Sequence, residues 1–275
     1  MNIEGKRAVV TGGAMGIGLA TVRRLLAAGC PTAIWDYDES AIERAREELA
    51  TTATRVVFFR CDVTDPAQVA NAARETMSLL GGVEILVNNA GTVVAGRFDE
   101  ADLDAQRRVI DVNFTALLYT IRAFLPEMYR RDDGVIVNVS SAAGALGVPG
   151  QAVYSASKWA VWGLTESLRH EVRNLGKAVH VASVHPSYVR TGLFEGARMS
   201  GLGGLIVPRV KDHDVIARAI VGRAIRKRKT VTYRPRTVRL AVLLRGILPD
   251  RVFFRTIRAL NVHKSMATFR GRKND

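Results

Sequence analysis

Cysteine and long hydrophobic runs are both scarce in this chain of 275 residues. Cys30 and Cys61 are its only cysteines, which excludes a disulfide framework or a thiolate zinc cage and fits a reducing compartment. No run of about 18 or more apolar residues occurs, so the sequence predicts no membrane-spanning segment. The N-terminus leads almost directly into a strand pattern rather than a signal peptide. We therefore expect a globular protein of the cytoplasm.

Acidic residues are nearly missing from the last fifth of the chain. Residues 222–275 contain 16 Lys and Arg but only two Asp, whereas residues 1–221 contain 24 basic and 24 acidic residues. The entire net charge of +14 therefore lies near the C-terminus. Such a basic segment can meet anionic lipid, nucleic acid or an acidic partner.

Apolar residues and arginines alternate within this basic segment, over residues 240–247 and 252–260. The pattern is typical of a basic amphipathic helix, which can lie on an anionic bilayer at the membrane periphery. A helix packed on its own body, or on a sister subunit, gives the same pattern. Nucleic acid is disfavoured because few aromatic residues are present for base stacking.

Short apolar runs rich in β-branched residues alternate with helical patterns over residues 1–233. The predicted strands are 8–10, 32–35, 56–59, 85–87, 135–139, 179–184 and 230–233, and the predicted helices are 19–28, 39–49, 67–80, 103–129, 153–175 and 214–226. Pro126 is expected to bend or end the fourth helix. Continuous apolar strands are covered on both faces, which predicts an α/β fold with a doubly wound parallel sheet between helix layers. We expect one such domain over residues 1–233 and a basic C-terminal extension over residues 234–275.

A glycine-rich turn follows the first predicted strand and opens a helix. It reads Thr-Gly-Gly-Ala-Met-Gly-Ile-Gly over residues 11–18. Glycines let the main chain approach a pyrophosphate closely, and the helix start supplies free N–H groups. Asp36 ends the second predicted strand, where a carboxylate binds the adenosine ribose and repels a 2′-phosphate. This pattern predicts a dinucleotide site that favours NAD(H) over NADP(H).

The spacing Thr-Gly-x-x-x-Gly-x-Gly resembles the glycine motif of the classical short-chain dehydrogenase/reductase family. Six further motifs of that family follow in the same order: Asp62-Val63, Asn88-Asn89-Ala90-Gly91, Asn113, Ser140-Ser141, Tyr154-Ser155-Ala156-Ser157-Lys158 and Pro186 to Thr191. The resemblance runs from about residue 6 to about residue 233. It implies a Rossmann-type fold and hydride transfer between a nicotinamide cofactor and an alcohol or carbonyl.

The resemblance also implies which residues contact the cofactor. They are Gly12, Met15, Gly16, Ile17, Gly18, Asp36, Asp62, Val63, Asn89, Ala90, Gly91, Tyr154, Lys158, Pro186, Val189 and Thr191. Asp62 and Val63 would contact the adenine ring, and Val189 and Thr191 the nicotinamide carboxamide. Ser187 stands where the family usually has glycine, and serine disfavours positive φ. We therefore expect a slightly reshaped nicotinamide loop.

Tyr154 and Lys158 lie four residues apart in a predicted helix and so share one face. A phenol is a poor base at neutral pH, but a nearby ammonium and the positively charged nicotinamide would favour the phenolate and lower its pKa. Tyr154 is therefore the candidate general acid/base. By resemblance, Ser141 would bind the substrate oxygen, Lys158 the nicotinamide ribose, and Asn113 a water that links Lys158 to solvent. Ser140 is expected to be structural.

Other chemistries have weaker support in the sequence. The five histidines are scattered without paired metal-ligand spacing, so no metal site is expected. No Gly-x-Ser-x-Gly nucleophile elbow is present, which argues against a serine hydrolase.

The loop after the sixth predicted strand is rich in apolar residues. Its apolar members are Leu193, Phe194, Met199, Leu202, Leu205 and Ile206. Together with Leu146, Val148 and Trp162 they indicate a lipophilic pocket for a steroid, retinoid or fatty chain. The alternative is that they only pack the loop onto the body. The function expected is an NAD(H)-dependent oxidoreductase that interconverts a secondary alcohol and a ketone, or an alcohol and an aldehyde. The alternative is a cofactor-binding scaffold that its basic tail recruits to a membrane or nucleic acid.

The resemblance further implies a homodimer or homotetramer. In the family, the long helix around Asn113 and the helix that carries Tyr154 pair with their copies in a neighbour. Trp159, just past Lys158, would be buried there.

Overall fold

The structure is a computed structural model that describes residues 1–189, 193, 208–260 and 269. Its strands are β1 (Ala8–Thr11), β2 (Thr32–Asp36), β3 (Val56–Arg60), β4 (Ile85–Asn88), β5 (Gly134–Val139), β6 (Val179–Pro186) and β7 (Val231–Arg234). They form one parallel sheet in the order β3-β2-β1-β4-β5-β6-β7. The strand order reverses between β1 and β4, and this arrangement confirms the predicted doubly wound sheet.

Helices cover both faces of the sheet. They are α1 (Gly16–Leu26), α2 (Glu39–Leu49), α3 (Pro66–Leu80), α4 (Leu103–Ile110), α5 (Ala116–Arg131), α6 (Ala152–Asn174), α7 (His213–Arg218), α8 (Val238–Ile247) and α9 (Asp250–Ala259). A π-helical turn, Asp111–Thr115, joins α4 to α5, and a second, Ala219–Arg226, extends α7. Several helices begin at an aspartate that caps their free N–H groups; Asp65, before Pro66, accepts from two of them.

Successive residues of each strand enter different cores. Val10 and Ile34 belong to a cluster with α1, α2 and α7, whereas Val9 and Trp35 belong to a cluster with α3, α5 and α6. Both clusters are closed to water, which explains why the strands have no polar alternation. Burial of apolar area on both faces is the main force that holds the sheet between its helix layers.

The long helix predicted over 103–129 differs from the observed one in two ways. It does not end at Pro126 but continues to Arg131, and the π-helical turn Asp111–Thr115 interrupts it. By length and composition the combined helix Leu103–Arg131 could cross a membrane. In this fold, however, Ile121 and Phe124 bury its apolar stripe against the sheet.

A buried polar network crosses the middle of the sheet. The Asn88 side chain on β4 donates to the Asn138 Oδ1 on β5 over 2.8 Å, and Asn138 donates to the Thr165 Oγ1 on α6 over 2.9 Å. Thr120 on α5 donates to the Asn88 Oδ1 over 2.7 Å. These four side chains satisfy one another in a region from which water is excluded.

The C-terminal hairpin consists of α8 and α9. It follows β7, whose last residue, Arg234, lies one position beyond the boundary expected after residue 233. Val238 and Phe253 are the buried residues of the hairpin. The Arg245 guanidinium lies 4.7 Å from the Trp159 ring centroid on α6 and 5.6 Å from that of Phe253. These cation–π contacts hold the hairpin on the body.

Candidate active site

A cavity of about 600 Å³ lies at the carboxyl ends of the strands, beside the point where the strand order reverses. Ligands of doubly wound sheets bind at this position. Fourteen of the sixteen residues expected to contact the cofactor line it. Gly18 does not, and Thr191 lies outside the described residues.

The glycine turn has the geometry that its sequence requires. Gly12 and Gly16 have φ of +59° and +56°, a conformation that side chains disfavour. A Cβ on Gly18 would lie 1.9 Å from the Gly12 carbonyl oxygen, so Gly18 holds the turn closed from behind the cavity. The first turn of α1 is not capped by the Met15 side chain. Its N–H groups therefore remain available for an anion.

Thr11 and Asn89 join the glycine turn to the loop after β4. The Thr11 Oγ1 accepts from the main-chain N–H of Asn89 over 3.0 Å and from that of Ala90 over 3.1 Å. The Asn89 side chain donates in return to the Thr11 and Gly12 carbonyls over 3.1 and 3.0 Å. Thr11 was not among the predicted site residues, although it opens the motif. Its hydroxyl fixes the distance between the glycine turn and the loop after β4.

Asp36 projects from the end of β2 into this cavity. Its carboxylate accepts from the Ala14 N–H over 3.1 Å and from the Asp38 N–H over 3.3 Å. Burial raises the pKa of Asp36, although these main-chain donors act in the opposite direction. The carboxylate is thus held in place beside the glycine turn by main-chain donors.

Asp62, at the end of β3, forms an ion pair that sequence reasoning missed. It accepts from Arg108 on α4 over 2.7 Å and from the Thr64 N–H and hydroxyl over 2.9 and 2.7 Å. Burial raises the pKa of Asp62, but the bonds from Arg108 and Thr64 together outweigh it and the pKa is lowered. Arg108 lines the cavity, and its charge is already neutralised there by Asp62.

The structure brings Tyr154, Lys158 and Ser141 together. Lys158 Nζ lies 5.8 Å from the Tyr154 ring centroid and donates to the Val139 carbonyl over 3.1 Å. Burial lowers the pKa of Lys158 to about 8. Burial also raises the pKa of Tyr154, against a hydrogen bond with Ser141 that lowers it. Desolvation of the phenolate is the largest effect on Tyr154, and the lowering of its pKa by the ammonium together with a bound nicotinamide stays a prediction.

Asn113 lies in the π-helical turn, fully buried behind the cavity. Its Oδ1 accepts from the Thr92 N–H over 2.8 Å, and its Nδ2 donates to the Thr92 carbonyl and the Ser157 hydroxyl over 2.9 and 3.0 Å. A Cβ on Gly91 would lie 3.2 Å from the Asn113 Oδ1 and 3.5 Å from Lys158 Nζ. Gly91 thus lets Asn113 and Lys158 approach the same point of the loop.

The two serines after β5 have different partners. Ser140 donates to the Lys158 carbonyl over 2.8 Å, whereas Ser141 faces the cavity and donates to the Pro186 carbonyl over 3.4 Å. The buried His185 ring contacts Ser141 from behind: its Nδ1 lies 3.2 Å from the Ser141 carbonyl oxygen. His185 was not predicted as part of the site, since a single histidine on a strand carries no motif.

The comparisons decide the family. A family model described as short chain dehydrogenase matches residues 6–200. The chain belongs to the short-chain dehydrogenase family. This oxidoreductase is 32% identical over 253 residues to epidermal retinol dehydrogenase 2 of Homo sapiens, covering 90% of this chain and 80% of the relative. It is 37% identical over 187 residues to the 3-alpha-(or 20-beta)-hydroxysteroid dehydrogenase of Mycobacterium tuberculosis, covering 68% of this chain and 70% of the relative.

A solved structure agrees with this assignment. The short-chain dehydrogenase/reductase from Burkholderia phymatum, in complex with NAD, superposes with a TM-score of 0.79 and 28% identity, covering 90% of this chain and 94% of the other. The dinucleotide-binding fold of this oxidoreductase is therefore shown by sequence and by structure.

The apolar side of the cavity in this oxidoreductase differs in part from expectation. Trp162 does not line the cavity; it packs on His185, with ring centroids 5.1 Å apart, and on Tyr233. Leu146 and Val148 are also not among the residues that line it. Leu193 lines it as expected, and so does Phe269, from the chain beyond the hairpin. The other apolar residues predicted in the loop after β6 lie outside the described residues.

Ser187 does not have the strain that its position suggested. Among the described residues other than glycine, only Asp132 and Arg228 have positive φ. The Ser187 N–H donates to the Arg234 carbonyl over 2.7 Å, which continues the pairing of β6 with β7. The start of the loop after β6 is therefore held as an extension of the sheet.

Proposed function

We propose that this oxidoreductase uses NAD(H) to interconvert a lipophilic secondary alcohol and a ketone, or an alcohol and an aldehyde. The observation that carries the proposal is the meeting of Tyr154, Lys158 and Ser141 in the cavity that the glycine turn opens. A scaffold that only binds a cofactor has no need of this combination of an acid/base, a cation and a hydroxyl.

The residues of the cavity fit a dinucleotide. Gly12 and Gly16 form a cradle at positive φ, and the uncapped start of α1 offers N–H groups to a pyrophosphate. Asp36 would accept hydrogen bonds from the adenosine ribose and repel a 2′-phosphate. The two cations that line the cavity in the described chain are Arg108, which is paired with Asp62, and Lys158 at the other end. These features favour NAD(H) over NADP(H).

Tyr154 would carry the proton of the reaction. When bound, the nicotinamide would accept or supply the hydride. Because burial raises the Tyr154 pKa, the phenol is protonated at neutral pH and can donate to a carbonyl oxygen during reduction. Alcohol oxidation requires the phenolate, so its rate should rise as the pH increases.

Ser141, Lys158 and Asn113 would support this proton transfer. The Ser141 hydroxyl, at the cavity wall, would donate to the substrate oxygen as charge develops there. Lys158 would bind the nicotinamide ribose hydroxyls and favour the phenolate of Tyr154. The Asn113 side-chain amide is used by Thr92 and Ser157. Asn113 would hold a relay water beside Lys158, as the family resemblance implies.

The lipophilic substrate is supported by the apolar residues Val93, Val189, Leu193 and Phe269 in the cavity wall. The names of the relatives, a retinol dehydrogenase and a hydroxysteroid dehydrogenase, agree with such a substrate. We also propose a homodimer or homotetramer, because Leu103, Leu118 and Trp159 are exposed on α4, α5 and α6. Light scattering that gives a monomer at micromolar concentration would contradict the assembly.

Turnover of lipophilic secondary alcohols and of retinol-like alcohols with NAD⁺, followed by absorbance of the reduced nicotinamide, tests the proposal. Tyr154→Phe should remove turnover and leave cofactor binding nearly unchanged. Tyr129→Phe, on α5 and outside the cavity, is the matched control and should keep turnover. Cofactor binding without turnover of any substrate in either direction would favour the scaffold alternative.

A further inference from the structure

Each helix of the C-terminal hairpin has an exposed face of its own. On α8, Leu240, Leu243 and Ile247 are 51%, 56% and 67% exposed. At 3.6 residues per turn these three side chains lie within about 60° of arc, so they form one continuous apolar strip. An isolated exposed leucine needs no explanation, but an ordered strip of three large apolar side chains marks a contact surface.

The outer face of α9 is basic. Arg251, Arg255 and Arg258 are exposed and lie with Phe254 within about 100° of arc. Phe254 is 66% exposed, although the neighbouring Phe253 is buried. An aromatic side chain thus projects from a cluster of three guanidinium groups. Arginine donors bind phosphate oxygens in a bidentate manner, and an aromatic ring is stable at the boundary of headgroups and acyl chains.

Among the residues that the structure describes, the arginines of the hairpin have no acidic partner. Within the described part of the chain, every salt bridge involves a basic residue at or before Arg218. Asp250 is the only acidic residue in the hairpin. The charge is therefore available to something outside the molecule.

A second copy of this chain does not fit the surface. In a two-fold dimer the same patch lies on both sides of the interface, so the arginines of both copies would be brought together with Asp250 as the only acidic residue that each hairpin contributes. Like charges directly opposed at an interface are destabilising. Charge complementarity therefore points to an anionic partner, and the apolar strip on α8 to a partner with an apolar interior.

We propose that the C-terminal hairpin docks this protein on the surface of an anionic lipid bilayer. Phosphate and carboxylate headgroups pair with Arg251, Arg255 and Arg258, while Leu243, Ile247 and Phe254 enter the headgroup–acyl boundary. The hairpin is already folded, because Arg245 fixes it between Trp159 and Phe253. Docking consequently requires no coupled folding of α8 and α9.

Sedimentation with vesicles tests the basic face. The full-length protein should bind vesicles that contain phosphatidylserine and bind pure phosphatidylcholine vesicles much less. Each arginine near an anionic surface contributes about fivefold in affinity, so the triple variant Arg251→Glu/Arg255→Glu/Arg258→Glu should bind at least roughly a hundredfold more weakly. The control, Arg44→Glu/Arg74→Glu/Arg173→Glu, makes the same charge change at exposed sites of α2, α3 and α6 and should lose much less.

A second pair of variants tests the apolar strip. Leu243→Asp/Ile247→Asp should remove the binding that persists at high salt, because salt screens charges but not apolar burial. Leu79→Asp/Leu175→Asp, at exposed leucines of the body, should bind as the parent does. Circular dichroism and the melting temperature of each variant establish that it is folded.

Three results would overturn the proposal. In the first, the parent ignores both kinds of vesicle, or the control variants lose as much as the hairpin variants. In the second, the hairpin variants dissociate an oligomer without changing vesicle binding, which makes the surface an interface between copies. In the third, a DNA or RNA oligonucleotide displaces the protein from phosphatidylserine vesicles and binds more tightly, which favours nucleic acid.

Discussion

The His185 ring holds Ser141 in place by contacting the Ser141 main chain. The His185 Nδ1 lies 3.2 Å from the Ser141 carbonyl oxygen, and its Nε2 lies 2.9 Å from the Ser183 hydroxyl. A carbonyl oxygen only accepts, so Nδ1 carries the proton and Nε2 accepts from Ser183. Burial lowers the pKa of His185 to about 4. The neutral ring therefore stays in one tautomer at physiological pH and holds the Ser141 main chain against β6.

The first prediction is a loss of stability in mild acid. Burial lowers the pKa of both His180 and His185 to about 4 from an ordinary 6.5. Between these values the unfolded chain binds more protons, so the free energy of unfolding decreases as the pH falls below about 6.5. His185 alone should contribute about 2 kcal/mol of loss by pH 5. Urea unfolding at pH 7 and pH 5 measures it.

His180→Gln isolates one histidine without touching the site. His180 is buried on β6, and its Nε2 has no hydrogen-bond partner within the described structure. The variant should lose less stability between pH 7 and pH 5 than the parent. His170→Gln, which removes an exposed histidine of α6, is the matched control. Equal behaviour of the two variants would contradict this assignment.

The second prediction concerns the choice of cofactor. Asp36→Asn removes the charge but keeps an oxygen that can accept from the Ala14 N–H. The preference for NAD(H) over NADP(H) should fall by ten- to thousandfold, since one charge pair at about 4 Å is worth roughly 1–4 kcal/mol. Calorimetric titration with both cofactors measures it. Asp38→Asn keeps the helix cap of α2 and should change the preference much less.

The third prediction separates stability from activity at Lys158. The ammonium is buried, and its pKa is lowered to about 8 because burial disfavours the charge. Lys158→Met should therefore raise the free energy of unfolding at pH 7 by about 3 kcal/mol while it abolishes turnover. Lys177→Met, at an exposed lysine, is the control and should change neither. A less stable Lys158→Met protein would contradict the cost that we assign to the buried charge.

The fourth prediction compares two glycines. Gly18→Ala places a Cβ 1.9 Å from the Gly12 carbonyl oxygen, so the glycine turn must shift and cofactor affinity should fall by at least tenfold. Gly163 lies inside α6 with no atom within 4 Å of an added Cβ. Gly163→Ala should stabilise the protein by about 0.5–1 kcal/mol and leave cofactor binding unchanged. Cofactor titration and thermal unfolding of both variants distinguish the two cases.

Much of the fold was predictable because its signals are local. Each strand is a short apolar run, and each observed strand begins within one residue of its predicted position. The glycine turn and Asp36 were also predictable, since their chemistry depends on a fixed spacing after β1 and β2. Helix α3 was marked by Asp65 and Pro66, which form its observed N-terminus.

The remaining features depend on contacts between distant parts of the chain. A π-helical turn adds one residue to a helix without changing its composition, so the periodicity around Asn113 could not reveal it. The sequence shows that Trp162 is apolar but not whether its side chain points into the cavity. Its packing on the His185 ring decides that direction. The direction of the Tyr154 pKa shift depends on how completely the fold excludes water from the phenol. The spacing of residues in the sequence does not predict that burial.

The side-chain hydrogen bond from Asn88 to Asn138 determines how β4 and β5 align. Their neighbours are valine, isoleucine and leucine on both faces, and such strands can slide past one another with little change in apolar burial. A slip along either strand would leave two buried amides unpaired, at a cost of about 1–3 kcal/mol for each. The correct alignment sets Gly91, after β4, at the same level as Ser141, after β5. The network thus determines the relative position of two active-site loops, although it lies within the sheet and outside the cavity.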